Sequence, residues 1–378
     1  MKRLSLGSLT VLLLLLLWLG CSGNEPMTIG IVASLSGRTS QLGVSARNAV
    51  QLAVAEANEK GGVNGREIRL MVRDNQGDPD VCADAVSELT ELGVEGIIGP
   101  LMSQMAAGVL DRIQEVPVVV ISPTISADAY KDRDDFFFRL MPVASQEAKT
   151  MASVIAKDGY RRTAVVYDAA NKAYTEPVFT LFKSTYEQNG GQVVYTNNLK
   201  GNTLHGNGEK PFGSIAEAIL ASKAEALYII SSGIDAAALT QQIRKRTTTI
   251  RFYGAYWVKT GNIIQRGGRS VEGLTIAAPF ERKDKSAEYK AFAARHQKMF
   301  NTDPGFVAVY AYDATQVLLR AIGQSVGQGP EGIKNAILDH KTFNGLEEPF
   351  EINAYGDTIR STMIMTVENG RFVRRGGQ

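Results

Sequence analysis

Three histidines, His205, His296 and His340, are the side chains best suited to proton transfer near neutral pH, and they are scattered along the chain. No cysteine–histidine spacing suits a metal, and there is neither a G-x-S-x-G nucleophile turn nor a glycine-rich phosphate cradle. Asp74, Asp78 and Asp80 cluster, but Pro79 among them marks a strand exit followed by a helix start. Cys82 falls with Ala85, Val86 and Leu89 at helical spacing, which is the pattern of a small buried side chain. The inventory argues against an enzyme and calls for no metal or cofactor. Binding chemistry is better represented. Hydroxyls gather at Ser36-Gly37-Arg38-Thr39-Ser40, at Pro100-Leu101-Met102-Ser103 and at Thr124-Ile125-Ser126, and aromatic rings at Tyr256-Trp257. Neutral donors of this kind stabilise a carboxylate without burying a counter-charge.

The elements that must position these groups alternate along the chain. Apolar strand-like runs at Met27 to Ala33, Ile68 to Val72, Gly96 to Ile98 and Val116 to Ile121 are separated by helical stretches at Val44 to Asn58, Asp80 to Leu92 and Ser103 to Gln114. A second alternating set follows Met141-Pro142, with strands at Ala164 to Tyr167, Gln192 to Tyr195, Ala226 to Ser231 and Arg251 to Tyr256. Helices fit between them at Ser145 to Lys157, Tyr174 to Gln188, Ser214 to Ser222 and Asp235 to Arg246. Strand, helix and strand in turn predict parallel sheets covered by helices, so two α/β lobes of the doubly wound kind are written in tandem. Helical patterns at Ala287 to Met299, Val307 to Gly323 and Pro330 to Asp339 have too few strands of their own and must cover a sheet already made. The polar, glycine-rich stretch from Gly201 to Gly213 fits no element.

The 378 residues favour two domains over one, since a single core stops growing near this length. Met1-Lys2-Arg3 followed by the apolar run Val11 to Leu19 has the form of a secretory signal, being shorter than the about 20 residues of a membrane helix. Loss of Lys2 and Arg3 with that leader takes the 41 basic residues to 39, equal to the 39 acidic ones, and a neutral body gives no reason to expect nucleic acid as partner. Gly20-Cys21 at the end of the run resembles a bacterial lipoprotein signal. That resemblance implies a signal peptide over 1–20, an acylated Cys21 and a tether over 21–26 on the outer side of the membrane.

From Ala57-Asn58-Glu59-Lys60-Gly61-Gly62-Val63-Asn64-Gly65-Arg66 and Leu70-Met71-Val72-Arg73-Asp74 onward, the chain resembles the branched-chain amino-acid binding family of ABC transporters. Ile97-Ile98-Gly99-Pro100, Val116-Pro117-Val118 with Ile121-Ser122-Pro123, and Tyr312-Asp313-Ala314 recur in that family's order and spacing. The resemblance implies a type I periplasmic-binding fold, with two lobes joined by a three-stranded hinge and closing on ligand. Crossings near Met141-Pro142, Ala278-Pro279 and Gly345-Leu346 would give a first lobe of 27–141 plus 279–345 and a second of 142–278 plus 346–378. It also implies a monomer that captures an amino acid or related small carboxylate or amide outside the cytoplasm and hands it to an ABC permease.

Parallel sheets bind ligands beyond the carboxyl ends of their strands, which selects the hydroxyl-bearing loops. The resemblance places the ligand's carboxylate on Ser103, Thr124 and Ser126, and a closing ring at Tyr174. Ser103 could equally be a helix cap, and Arg38 either a carboxylate partner or a solvated loop side chain. After the strand ending at Ser231, Asp235 would cap its helix while Ser232 faces the cleft. Relatives commonly carry an acid for the ligand's ammonium group where this chain has Tyr256 and Trp257, so the expected ligand shifts toward a carboxylate or amide with an apolar or aromatic body. The alternatives are an aliphatic amino acid, its ammonium on Asp235 or on carbonyls and ring faces, and a ligand sensor signalling to a membrane receptor.

Overall fold

The computed structural model describes residues 25–199, 212–260, 263–278 and 286–376. The expected leader, the acylation site at Cys21, the middle crossing at Ala278-Pro279 and most of the Gly201 to Gly213 stretch lie outside the described residues. No described helix is long and apolar enough to cross a membrane.

The first sheet is parallel throughout, in the order β2-β1-β3-β4-β5. Its strands are β1 (Met27–Ala33), β2 (Ile68–Asp74), β3 (Ile97–Ile98), β4 (Val120–Ser122) and β5 (Phe137–Arg139). Helices α1 (Ser40–Glu59), α2 (Pro79–Glu91) and α3 (Ala106–Glu115) connect them. Ala46, Ala49, Val50 and Ala53 on α1 are fully buried, a narrow stripe that lets the helix lie close to its neighbours. Asp78 closes the start of α2 by accepting from the Asp80 and Val81 N–H groups at 2.8 and 3.1 Å, which accounts for the Asp74-Asp78-Asp80 cluster. The run expected as one helix from Ser103 is a 3-10 turn, Ser103–Met105, leading into α3.

The second sheet runs β15-β14-β10-β9-β8-β6-β7. Parallel strands β6 (Arg162–Asp168), β7 (Gln192–Leu199), β8 (Ala226–Ile230), β9 (Arg251–Gly254) and β10 (Thr275–Ala278) are joined at one edge by the antiparallel β14 (Met363–Glu368) and β15 (Arg371–Arg374). Around it lie α4 (Ala144–Lys157), α5 (Lys172–Gln188), α6 (Phe212–Ala221), α7 (Gly233–Arg244) and the short α8 (Ile263–Gly267). The late helices α9 (Ala287–Phe300), α10 (Phe306–Gln324) and α11 (Gly329–His340) add no strand to either large sheet, and α10 packs against α1, β3 and β4 of the first.

A small antiparallel sheet, β11 (Thr342–Asn344), β12 (Pro349–Ile352) and β13 (Thr358–Ile359), holds the chain beside the first lobe before it enters the second sheet. Asp357 there accepts from Nε and Nη2 of the buried Arg139 on β5 at 2.8 and 2.5 Å, and from the Asp132 N–H at 2.9 Å. The last passage between lobes therefore lies after Ile359, beyond the expected Gly345-Leu346, because β12 and β13 must pair with β11 first. Arg360 follows at once, buried between the rings of Tyr310 and Phe350 at 4.5 and 4.1 Å, with Nη2 3.3 Å from Asp313. Burial pushes the Asp313 carboxyl up to about 6 against the pull of Arg360. The Tyr312-Asp313-Ala314 motif thus supplies a hinge counter-ion.

Candidate functional site

Strand order places the site. In the first sheet the order reverses between β1 and β3, and in the second between β6 and β8; loops leaving such strands diverge and open a crevice. Gly99, at φ +102°, turns the chain sharply after β3, and a β-carbon on it would stand 2.1 Å from the Val32 carbonyl oxygen. That turn carries Pro100 to Ser103 toward the crevice. Ser122 then ties two loops together, donating to the Pro100 carbonyl at 2.6 Å and accepting from the Ile125 N–H at 3.1 Å.

Loops from both lobes meet around one cavity with about 430 Å³ of unfilled space, part of it open to solvent. Ser103, Thr124 and Ser126 line it from the first lobe, and Tyr174, Tyr256 and Trp257 from the second. Leu42, Leu101, Met102, Met141 and Phe306 supply apolar wall. Thr124 spends its proton on the Leu101 carbonyl at 2.6 Å. Ser103 accepts from the Ala127 N–H at 3.3 Å, which leaves its own proton to give; it caps no helix. The Ser126 hydroxyl has no hydrogen-bond partner among the described residues, and its residue lines the cavity.

Tyr256 and Trp257 follow β9 as expected, but the strand ends before Tyr256. β9 stops at Gly254 and the two rings stand on a 3-10 turn, Tyr256–Lys259, against which α7 begins so closely that a β-carbon on Gly233 would lie 1.9 Å from the Thr260 carbonyl oxygen. Trp257 meets Tyr174 edge-to-face at 6.3 Å. Behind these rings is a residue the sequence reading did not single out. Glu147 on α4 is fully buried, accepting from the Tyr174 hydroxyl at 2.8 Å and the Tyr256 N–H at 2.6 Å. Burial pushes its carboxyl up to about 8, with those two bonds opposing the rise. The signal was available: Glu147 shares a helical stripe with Met151 and Ile155, and an acid on a buried stripe must have partners.

Arg38, Asp235 and Ser232 are placed differently from the expectation, and none of the three lines the cavity. Arg38 crosses from the loop after β1 to the second lobe, 2.5 Å from Asp168 and 3.1 Å from Asp235. Burial raises the Asp168 carboxyl, while the guanidinium holds it down. Ser232 is the helix cap, accepting from the Asp235 N–H at 3.3 Å, the role expected of Asp235. Elsewhere Cys82 is buried, its thiol pushed up to about 12. His296 is buried with Nδ1 2.8 Å from the Thr302 carbonyl. No metal-ligating cluster occurs among the described residues.

This chain is 26% identical over 360 residues to the Leu/Ile/Val-binding protein BraC3 of Rhizobium johnstonii, covering 94% of each chain. It superposes at a TM-score of 0.81 on the branched-chain amino acid transporter substrate binding protein LivJ of Streptococcus pneumoniae in complex with isoleucine, at 21% identity and covering 93% of this chain and 100% of that one. A solute binding protein of an ABC transporter from Rhodopseudomonas palustris, in complex with 3,4-dihydroxybenzoic acid, also superposes at 0.81, at 19% identity over 93% of this chain and 96% of that one. The fold is that of the type I periplasmic binding proteins. With the family model for periplasmic binding proteins matching residues 26–371, this chain belongs to that family, as its resemblance to the branched-chain amino-acid binding proteins implied.

Proposed function

We propose that this chain is the substrate-binding lipoprotein of an ABC importer, exported and held at the membrane by Cys21, and that its ligand is a small carboxylate with an apolar or aromatic body. One observation carries the ligand class. The cavity offers unspent hydroxyl protons at Ser103 and Ser126, faces them with Tyr174, Tyr256 and Trp257, and has no acidic side chain in its lining among the described residues. Such a wall suits an anion and an apolar body, and gives an ammonium group no full counter-charge. Glu147 stands behind Tyr174 and Tyr256, already accepting from both. The dihydroxybenzoate in the Rhodopseudomonas neighbour and the isoleucine in the Streptococcus neighbour mark the two ligand types this fold accommodates.

An aliphatic amino acid is the second reading, favoured by the name of the Rhizobium relative. A thermal-shift screen of amino acids, aromatic acids, amides and short peptides separates the classes, since a ligand at 100 times its Kd raises stability by about 2.7 kcal/mol. Stabilisation by aromatic or branched carboxylates is expected, whereas stabilisation by peptides or neutral amides alone would exclude the carboxylate reading. The anchor is tested separately: fatty-acid labelling should mark the wild type and spare Cys21→Ala, and equal labelling would refute lipid attachment there.

A further inference from the structure

Asn171 ends a short 3-10 turn, Ala169–Asn171, after β6, and neither composition nor the resemblance drew attention to it. It is 6% exposed and lines the cavity. Its Oδ1 accepts from the backbone N–H of Gln104 at 3.1 Å, across the cleft from the first lobe. Gln104 returns the contact, its Oε1 accepting from the Lys172 N–H at 3.2 Å. An N–H can only donate, so the first bond fixes which end of the Asn171 amide is oxygen. The NH2 end then has no hydrogen-bond partner among the described residues, although its residue is nine-tenths buried. Ser103 is the neighbour of Gln104 in sequence, and Asn171 lines the same cavity as Ser103 and Ser126.

We propose that Asn171 binds the ligand from the second lobe, offering its Nδ2 protons to the carboxylate that Ser103 and Ser126 hold from the first. This rests on the carboxylate reading above. The carboxylate then bridges the lobes, and Gln104 aims the amide only while the cleft is closed. Affinity and closure are coupled through one side chain, because an open cleft removes the Gln104 bond that orients the donor.

The test separates a ligand donor from a clasp between lobes. In Asn171→Asp an oxygen still accepts from Gln104, while the donor is replaced by a negative charge; Asn171→Ala removes both. Calorimetry on the full chain at pH 7.5, with 3-phenylpropanoate and leucine as probes, should find Asn171→Ala about tenfold weaker than wild type and Asn171→Asp at least tenfold weaker again. Asn171→Asp should recover toward Asn171→Ala as pH falls toward about 4, where the new carboxyl takes up a proton. Affinity for Asn171→Asp equal to or above that of Asn171→Ala would overturn the proposal and leave Asn171 a clasp. If the wild type binds neither probe, the carboxylate reading itself fails, and this assignment with it. Should circular dichroism show Asn171→Asp unfolded, the side-chain amide resonance of Asn171 in 15N-labelled wild type decides. A shift on saturation with probe is expected, and an unmoved resonance overturns the proposal.

Discussion

Glu147 shows how much a single buried side chain decides in this molecule. Its carboxyl is pushed up to about 8 by burial, so the folded chain holds a proton there that the unfolded chain gives up near the ordinary value of 4.5. The sign follows: its stabilising contribution is complete below about 4.5 and is lost as pH rises through about 8. Wild-type Tm should therefore fall between about pH 5 and about 8, by the equivalent of a few kcal/mol at most, while Glu147→Gln, which stays neutral, should show a flatter profile. Parallel profiles for the two proteins would remove the linkage. On the other wall, Ser103→Ala and Ser126→Ala should each weaken carboxylate binding by about 1 to 3 kcal/mol, the range for a lost bond to a charged group. Unchanged affinity in both by calorimetry would return these serines to the loops. Residues that line the cavity were legible where a strand end or the family motif marked them, as at Ser103, Ser126, Tyr174 and Trp257. Glu147 and Asn171 were not read, because a carboxylate inside a helix and an asparagine in a turn look solvated until Tyr174 and Tyr256 pack over the one and Gln104 of the other lobe meets the second.

Among the elements, the loop after β1 carries the clearest consequence. Arg38 lies between Asp168, the last residue of β6, and Asp235 in the first turn of α7, and Asp168 is fully buried. Removing the guanidinium takes away a charge that holds the Asp168 carboxyl down across the cleft, which disfavours the closed arrangement. We expect Arg38→Ala to release ligand several-fold faster in stopped-flow fluorescence from Trp257, with Asp168→Asn in the same chain restoring part of the loss. An unchanged release rate would show that the ion pair does not report on closure. Strand runs were legible at this scale because parallel strands buried on both faces read as continuous apolar stretches: β1 was read from Met27 to Ala33 as it stands. Short strands were not. The run Val116 to Ile121 contains only the start of β4, and β11 to β13 escaped because strands of two to four residues beside a hinge leave no periodicity to count.

For the molecule as a whole, two lobes must meet around the ligand, and each brings a different chemistry. Hydroxyls from loops of the first sheet face rings carried by the second, and Gln104 with Asn171 and Arg38 with Asp168 bridge the cleft. Sequence alone gave both lobes because each repeats its own alternation. It placed the last passage too early, since residues 346–359 belong by pairing to β11 and by charge to Arg139, relations that only the folded chain reveals. The central claim, that the cleft selects a carboxylate without requiring an ammonium group, meets its most direct test in comparative calorimetry. Phenylalanine and 3-phenylpropanoate, and leucine and 4-methylpentanoate, would be titrated into the same preparation at neutral pH. Tighter binding of the two deaminated acids is expected, because among the described residues no acidic side chain lines the cavity to receive the ammonium. Clear preference for the two amino acids would contradict the account and make this an amino-acid receptor whose ammonium site is built from carbonyls and ring faces.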